Sequence, residues 1–371
     1  MSAIEHIKQN RRNIVKPYVQ ADDFRAYAQT LSTLLPLGAL WYAVPLSVQI
    51  SFWLTALLTL PISLFVMRAF LLMHDCGHKS LFRSTKLNNF FGFIFGLVWG
   101  MPAYVWSQHH AFHHSTNGNW SKYRGPLSVV PVGEYAAMSE KRQRQYRHAR
   151  SIWITPFAGF FYVVWNPRIN WLKGTVSLVA HLLKKKISDP GVSIKSHAAE
   201  FKTRHWTDAN EYWQMFWNNV VLMSIWALMS QLIGVALFFS VYLASTALAG
   251  AAGLVLFTVQ HNFEDSYASS DEGWDDVEAA IRGTSFLILP RWLNWFTVDI
   301  AFHHVHHLSS KIPNYRLVKC HEEFQHLFLD VTRIMLADVP KSLKCILWDT
   351  EKRRIITVAA HHQNSLATAA A

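Results

Sequence analysis

Ten of the 20 histidines in this chain fall in three short boxes. The boxes are His74-Asp-Cys-Gly-His78, His109-His110-Ala-Phe-His113-His114 and His303-His304-Val-His306-His307. Each holds histidines three or four residues apart, and on a helix such pairs share one face. Each box can therefore aim several imidazoles at one point. Neutral imidazole is the commonest metal ligand among side chains. His74, His78, His110, His113, His114, His303, His306 and His307 are too many ligands for one ion and suit two. Adjacent residues such as His113 and His114 lie about 100° apart around a helix, which favours two neighbouring ions over one. Imidazole accepts zinc, copper, iron and nickel alike. Structural zinc sites lean on cysteine, and the chain has no Cys-x-x-Cys. A redox metal is the better reading. The scattered histidines His6, His148, His181, His197, His205, His321, His326, His361 and His362 read as satisfied or solvated side chains.

The elements that must position these boxes are apolar. Only 16% of the 371 residues are charged, against about 25% in an ordinary soluble domain. Residues 26–67 and 212–263 contain no Asp, Glu, Lys or Arg. Each stretch can hold two crossings of about 20 residues. The expected spans are 27–44, 49–72, 213–233 and 236–259. Pro45 and Ser47 mark the first turn, and the second lies near Gln231 to Gly234. Box one then sits at the mouth of span two. The region 73–211 holds two more apolar stretches, 87–106 and 152–165. If both crossed, box two and the basic run 141–150 would lie on the far side, away from the other boxes. They are read instead as half-buried or horizontal helices roofing the membrane domain, with Pro102 bending the chain before box two. The apolar stretch 284–300 reads as an interfacial helix leading into box three.

Net charge is +11. In a soluble protein that would suggest nucleic acid, but here the membrane reading prevails and no nucleic-acid partner is expected. Four spans leave the Lys and Arg residues in the N-terminal arm, the central loop and the C-terminal region, which the positive-inside rule places in the cytoplasm. Basic residues there attract anionic headgroups or an acidic protein. Cys76, Cys320 and Cys345 form no disulfide framework and fit a reducing compartment. The N-terminus lacks the apolar core of a cleavable signal peptide. The expected organisation is a cytoplasmic arm over 1–25, lying on the membrane surface, then a membrane domain over 26–308 and a cytoplasmic tail over 309–371 with helical stretches. Both termini and the boxes face the cytoplasm, in a multi-pass protein of a bacterial inner membrane.

A metal centre on the cytoplasmic ends of such helices can face an apolar slot that accepts a lipid chain. Attack on an unactivated C–H bond needs a strong oxidant, and iron with O2 supplies one. Four segments carry a resemblance. They are His74-Asp-Cys-Gly-His78-Lys-Ser-Leu-Phe, then His110-Ala-Phe-His113-His114 with Asn117-Gly-Asn119, then Gln260-His261-Asn-Phe-Glu264, and His303-His-Val-His306-His307-Leu with Ile312-Pro-Asn-Tyr315. Over about 65–320 the chain resembles the membrane fatty acid desaturases, most closely the acyl-lipid branch with the Δ12 (ω6) enzymes. That resemblance implies an all-α membrane protein: four transmembrane helices under a cytoplasmic helical cap that carries a histidine-ligated di-iron centre. It implies two iron ions, O2 as co-substrate, an external electron donor and a cis double bond placed in a membrane-lipid acyl chain, Δ12 favoured and Δ9 possible.

Carried over by position, the ligands would be His74, His78, His110, His113, His114, His303, His306 and His307, with His261 added just after the fourth span. His304 is the alternative to His303, and His109 falls outside the pattern, as a residue behind the ligands. Metal-bound histidine usually donates its other N–H to a carboxylate, carbonyl or water. Asp75, Glu264 and Asp299 lie in or beside the boxes, and Asp299 is four residues before His303, on one helical face. The bland reading of each is a cap or a solvated carboxylate. Asn119 reads as a water or turn holder, Cys76 as packing beside Gly77, and Trp99, Trp106, Trp120, Trp292 and Trp295 as core or interfacial belt. No His-Pro-Gly-Gly haem motif occurs, so electrons are expected from a separate carrier of the ferredoxin or cytochrome b5 type. A fatty acyl hydroxylase or ketolase on the same scaffold is the alternative activity. A membrane metal-binding protein without catalysis is the distant one.

Overall fold

The computed structural model describes residues 1–123 and 128–363. The fold is mostly helical, as expected, with two small sheets added to it. Helix α1 (Ala3–Val15) precedes four helices long and apolar enough to cross a membrane. These are α2 (Asp23–Ile50), α3 (Phe52–His78) and, after the central region, two more at 209–261. Between them come α4 (Thr85–Trp99), α5 (Ala103–Ser115), strand β1 (Val130–Pro131), α6 (Val132–Ala137), α7 (Glu140–Ala149), α8 (Thr155–Phe160), a π turn over Phe161–Trp165, α9 (Asn166–Ser188) and α10 (Ile194–Glu200). The second membrane-length pair is α11 (Ala209–Ile233) and α12 (Val235–His261). The described residues after α12 include α13 (Asp276–Arg282), β2 (Ser285–Ile288), α14 (Arg291–Phe296), α15 (His303–Leu308), α16 (Asn314–Glu323), β3 (Thr332–Met335), α17 (Val339–Ser342), β4 (Cys345–Asp349) and β5 (Arg354–Thr357).

The turns of the membrane helices follow from single residues. Proline breaks a helix in water, but membrane helices tolerate it, and α2 runs through Pro36 and Pro45 to Ile50. The first turn therefore lies at Ser51, six residues beyond the expected Pro45. Ser51 caps α3 by accepting from the Trp53 N–H at 3.1 Å. Ser47, expected in that turn, instead lies inside α2 and meets Thr55 of α3 at 2.8 Å, both hydroxyls buried. The second turn is where expected: Gly234 separates α11 from α12 at φ +89°, a conformation that favours glycine. One arginine interrupts the charge-free pattern of the spans, since Arg68 lies inside α3 and is buried.

Helices α4 and α5 meet at a bend of 100°. Pro102 starts α5, and Gly100 before it adopts φ +87° with the Tyr242 hydroxyl 2.5 Å from where a Cβ would stand. The bend lays α5 across the end of α3, which carries box two onto box one. Helix α8 packs on α12 backbone to backbone: a Cβ on Gly159 would sit 2.7 Å from the Gly250 carbonyl carbon.

Two expectations change near box three. The stretch 284–300 is not one interfacial helix. Ser285 to Ile288 alternate buried and half-buried as a strand does, and β2 pairs in parallel with β3. Pro290 then precedes the short α14. Residues 309–357 are not a separate helical tail either. They supply β3 to β2, and they supply β4, which pairs in parallel with β1 and antiparallel with β5. Helix α1 is likewise more than a surface arm. Ile4, Ile7 and Ile14 are buried in the main core, and Arg11 donates to the Leu308 carbonyl at the end of α15.

Candidate metal centre

The three boxes occupy helix ends. His74 and His78 form the last turn of α3, four apart on one face. His110, His113 and His114 lie along α5. His261 is the last residue of α12, and His303, His306 and His307 lie in α15. The helices converge so that the nine side chains form two groups. His74, His78, His110, His114 and His306 make one group, and His113, His261, His303 and His307 make the other. Within each group the ligating nitrogens all lie within 4.8 Å of one another. Consecutive residues separate as helix geometry requires: His113 joins one group and His114 the other, and His306 and His307 divide in the same way. The groups abut, with the rings of His114 and His307 stacked at 4.2 Å.

The nitrogens fit a metal. Nε2 of His110 and His114 are 3.1 Å apart, His114 and His306 3.0 Å, His113 and His261 3.1 Å, and His261 and His303 2.9 Å. Two nitrogens about 2.1 Å from one ion, at right angles, lie roughly 3.0 Å apart. Nε2 of His74, His78 and His307 is buried with no hydrogen-bond partner among the described residues, a costly state for a polar atom unless something else meets it. Burial, followed by the neighbouring imidazoles, pushes His303, His306 and His307 well below the ordinary histidine range. They are neutral at physiological pH, with the lone pairs a metal needs. The donor set is all imidazole, with neither thiolate nor carboxylate in either group.

The residues behind the ligands set their tautomers. His74 Nδ1 lies 3.1 Å from Asp75 Oδ1. The other Asp75 oxygen accepts from the backbone N–H and the side-chain amide of Asn314, both at 2.8 Å. His261 Nδ1 faces the Gly283 carbonyl at 3.4 Å. In both, Nδ1–H points outward and Nε2 points into the group. Trp106 stacks on His110 at 4.4 Å, and Phe257 lies against His74, His110 and His303. These rings exclude water from one side. Beside His113 and His261, walled by Trp120 and Tyr123, is a cavity of about 10 Å³, room for a single water.

Other residues fall elsewhere. His304 turns away from both groups to meet His321 Nδ1 at 2.8 Å, so His321 is a buried partner and not a solvated side chain. His109 is exposed and not behind the ligands. Asp299 is not on a helical face with His303. It lies outside α15 at φ +57°, beside Arg68. Glu264 pairs with Lys341 at the surface, Asn119 holds a turn by accepting from the Lys122 N–H, and Cys76 is a packing residue, as expected, set against Gly92. The Asn314 contact had a sequence signal, the Ile312-Pro-Asn-Tyr315 segment, but nothing in the sequence marked Gly283 or Phe257.

A family model described as fatty acid desaturase matches residues 51–335. A relative named fatty acid desaturase, from Bacillus subtilis, is 31% identical over 358 residues, 96% of this chain and 92% of the relative. The chain belongs to the fatty acid desaturase family. More distant members include an sn-1 oleoyl-lipid 12-desaturase of Anabaena variabilis, 22% identical over 69% of this chain and 64% of that protein. A Delta(8)-fatty-acid desaturase of Helianthus annuus is 25% identical over 73% of this chain and 55% of its own. The chain is thus a helical, membrane-type family member with histidine groups able to hold metal, and the family makes it an oxidoreductase acting on lipid acyl chains with electrons from a donor.

Proposed function

We propose that this protein is an O2-dependent acyl-lipid desaturase that places a cis double bond in a membrane-lipid acyl chain, with Δ12 favoured. The observation that carries the reading is the pair of all-imidazole groups, buried or half-buried, gathered where the membrane-length helices α3 and α12 end beside α5 and α15. His74, His78, His110, His114 and His306 would hold one iron ion and His113, His261, His303 and His307 the other. The pair would supply, with O2, an oxidant strong enough for an unactivated C–H bond. Two neighbouring methylenes each lose one hydrogen, an external donor gives two electrons, two protons come from solvent, and O2 leaves as two molecules of water. Asp75 and the Gly283 carbonyl hold the tautomers of His74 and His261. Trp106 and Phe257 shield the ligands on the side of the membrane helices, where an acyl chain would enter. The positive-inside bias supports a cytoplasmic centre, with both termini on the same side, and a ferredoxin or cytochrome b5 type carrier reaching it there. The organisation that fits is an arm over 1–25 whose α1 packs into the core, a membrane domain over 26–308 and a cytoplasmic region over 309–371 whose strands complete the two sheets.

The test is expression in a host membrane lacking polyunsaturated lipids, beside a His110→Ala copy and with a competent donor. Fatty-acid methyl esters are compared by mass spectrometry with double-bond location. A new unsaturated species only with the intact chain supports the proposal and fixes the position. A hydroxylated chain would move the reading to a hydroxylase, and no change at all would refute lipid oxidation.

A further inference from the structure

Away from the histidines, a second polar site lies between the first turns of α2, the middle of α3 and α14. It is a cavity of about 300 Å³ lined by Gln29, Ser32, Arg68, Asn294, Trp295 and Asp299. Arg68 is 2% exposed. Its guanidinium donates to Thr33 Oγ1 at 2.9 Å and to the Trp295 carbonyl, and it lies 3.8 Å from the centre of the Trp295 ring. Among the described residues no carboxylate comes within 4.0 Å of it. A buried cation without an ion partner is costly. Across the cavity the Asp299 carboxylate accepts no hydrogen bond among the described residues. Burial pushes its carboxyl up to about 6, with Arg68 pulling the other way. Among the described residues Oε1 of Gln29 and Oδ1 of Asn294 are buried acceptors that meet no donor, although the amide nitrogen of each is bonded.

The cavity therefore sets a cation and a carboxylate that attract each other without direct contact beside two acceptors in want of donors. A ligand that satisfies all of them carries an anionic oxygen group and, a few bonds away, a cationic group with N–H donors. The surroundings say where such a ligand comes from. Trp292 and Trp295 are both exposed on α14, as tryptophans are at the headgroup level of a bilayer. Arginine is the side chain best suited to phosphate. We propose that this cavity binds the headgroup of an amine-bearing zwitterionic phospholipid, with its phosphate at Arg68 and its ammonium at Asp299, Gln29 and Asn294. The segment between the cavity and box three contains Val298 and Asp299 at φ +44° and +57°. A β-branched residue at positive φ is strained, and the bound headgroup would brace that strained turn a few residues before His303.

The site can be tested without turnover, so its failure is distinct from failure of the desaturase reading. The metal-loaded protein is placed in nanodiscs of phosphatidylglycerol alone and of phosphatidylglycerol with phosphatidylethanolamine. Retained lipid is read by native mass spectrometry and the melting temperature is recorded. The expected result is selective retention of phosphatidylethanolamine and a melting point several degrees higher with it. Asp299→Asn should reduce that selectivity about tenfold and Asn294→Ala several-fold, each with unchanged helicity. Equal retention of the two lipids, or full selectivity in Asp299→Asn, would overturn the proposal. Free phosphoethanolamine added to phosphatidylglycerol discs tells the sources apart. If it reproduces the melting shift at millimolar concentration, the ligand is a soluble phosphoamine and the lipid assignment fails.

Discussion

Replacing Asp75 by Asn removes one charge and leaves the shape, and the hydrogen bonds around it fix the outcome. The carboxylate meets His74 Nδ1 with one oxygen and two donors of Asn314 with the other. Asparagine has one oxygen and one NH2, so it must choose. With its oxygen toward His74, the NH2 faces two buried donors, and two bonds are lost at about 1–3 kcal/mol each. With the amide flipped, Asn314 keeps an acceptor and only the His74 contact changes. The flipped state therefore wins. It presents an N–H to His74 Nδ1, which must then accept, and the ring proton moves to Nε2. That nitrogen points into the five-histidine group and could no longer ligate. The expected result is a folded protein with roughly 10- to 100-fold weaker metal binding at one group. Iron per chain measured by plasma mass spectrometry after dialysis should fall from about two toward one, and product formation should fall with it. A variant that keeps two ions through dialysis and forms product at the parent rate would refute the reasoning.

Box three offers a sharper comparison: His303→Gln should lose metal from the four-histidine group, while His304→Gln should keep both ions and lose stability by about 1–3 kcal/mol through its orphaned partner His321, read by metal analysis and thermal melting. Stripping metal with a chelator should lower the melting point by about 5 °C or more, because binding at a hundredfold excess over Kd contributes about 2.7 kcal/mol per site; restoring iron should reverse it. Asp299 has a folded pKa of about 6, above its unfolded value of 3.8, so its contribution is fully present below about pH 4 and is lost as pH rises through 6. Asp299→Asn, in phosphatidylglycerol alone, should therefore be more stable than the parent at pH 7.5, by at most about 2 kcal/mol given its partial exposure, with the gap closing near pH 4; equal melting curves across that range would contradict this. Gly159→Ala should cost about 1–3 kcal/mol by pushing α8 off Gly250, seen as a lower melting temperature.

What could be read from the sequence was what depends on local spacing. The i, i+4 pairs of box one and box two, the division of His113 from His114, the four spans and the bend at Pro102 all follow from helix periodicity or from one residue's backbone preference. What depends on partners far along the chain was not legible. His303 keeps the i, i+3, i+4 spacing to His306 and His307, but that His304 turns to His321, brought in by α16, could not be read from spacing. The 284–300 stretch reads as helix until β3, more than forty residues on, offers it a ladder. Pro45 looked like a turn because a span was allotted its minimum length, whereas lipid permits α2 to continue through it. Asp299 looked aligned with His303 on the premise of continuous helix, and two left-handed residues break that premise.

The way the helices share their histidines has a consequence for assembly. Helix α5 contributes to both groups, and so does α15. Neither group can be completed without setting the rotation of helices that also serve the other. The first ion bound would fix α5 and α15, and the second would meet ligands whose ordering entropy has already been lost. The two affinities are then linked, and by reciprocity each ion tightens the other, by a coupling on the order of 1–3 kcal/mol. A titration of apoprotein should be sigmoidal, with singly loaded chains scarce. A cell short of the metal would hold a mixture of full and empty molecules and few half-built ones.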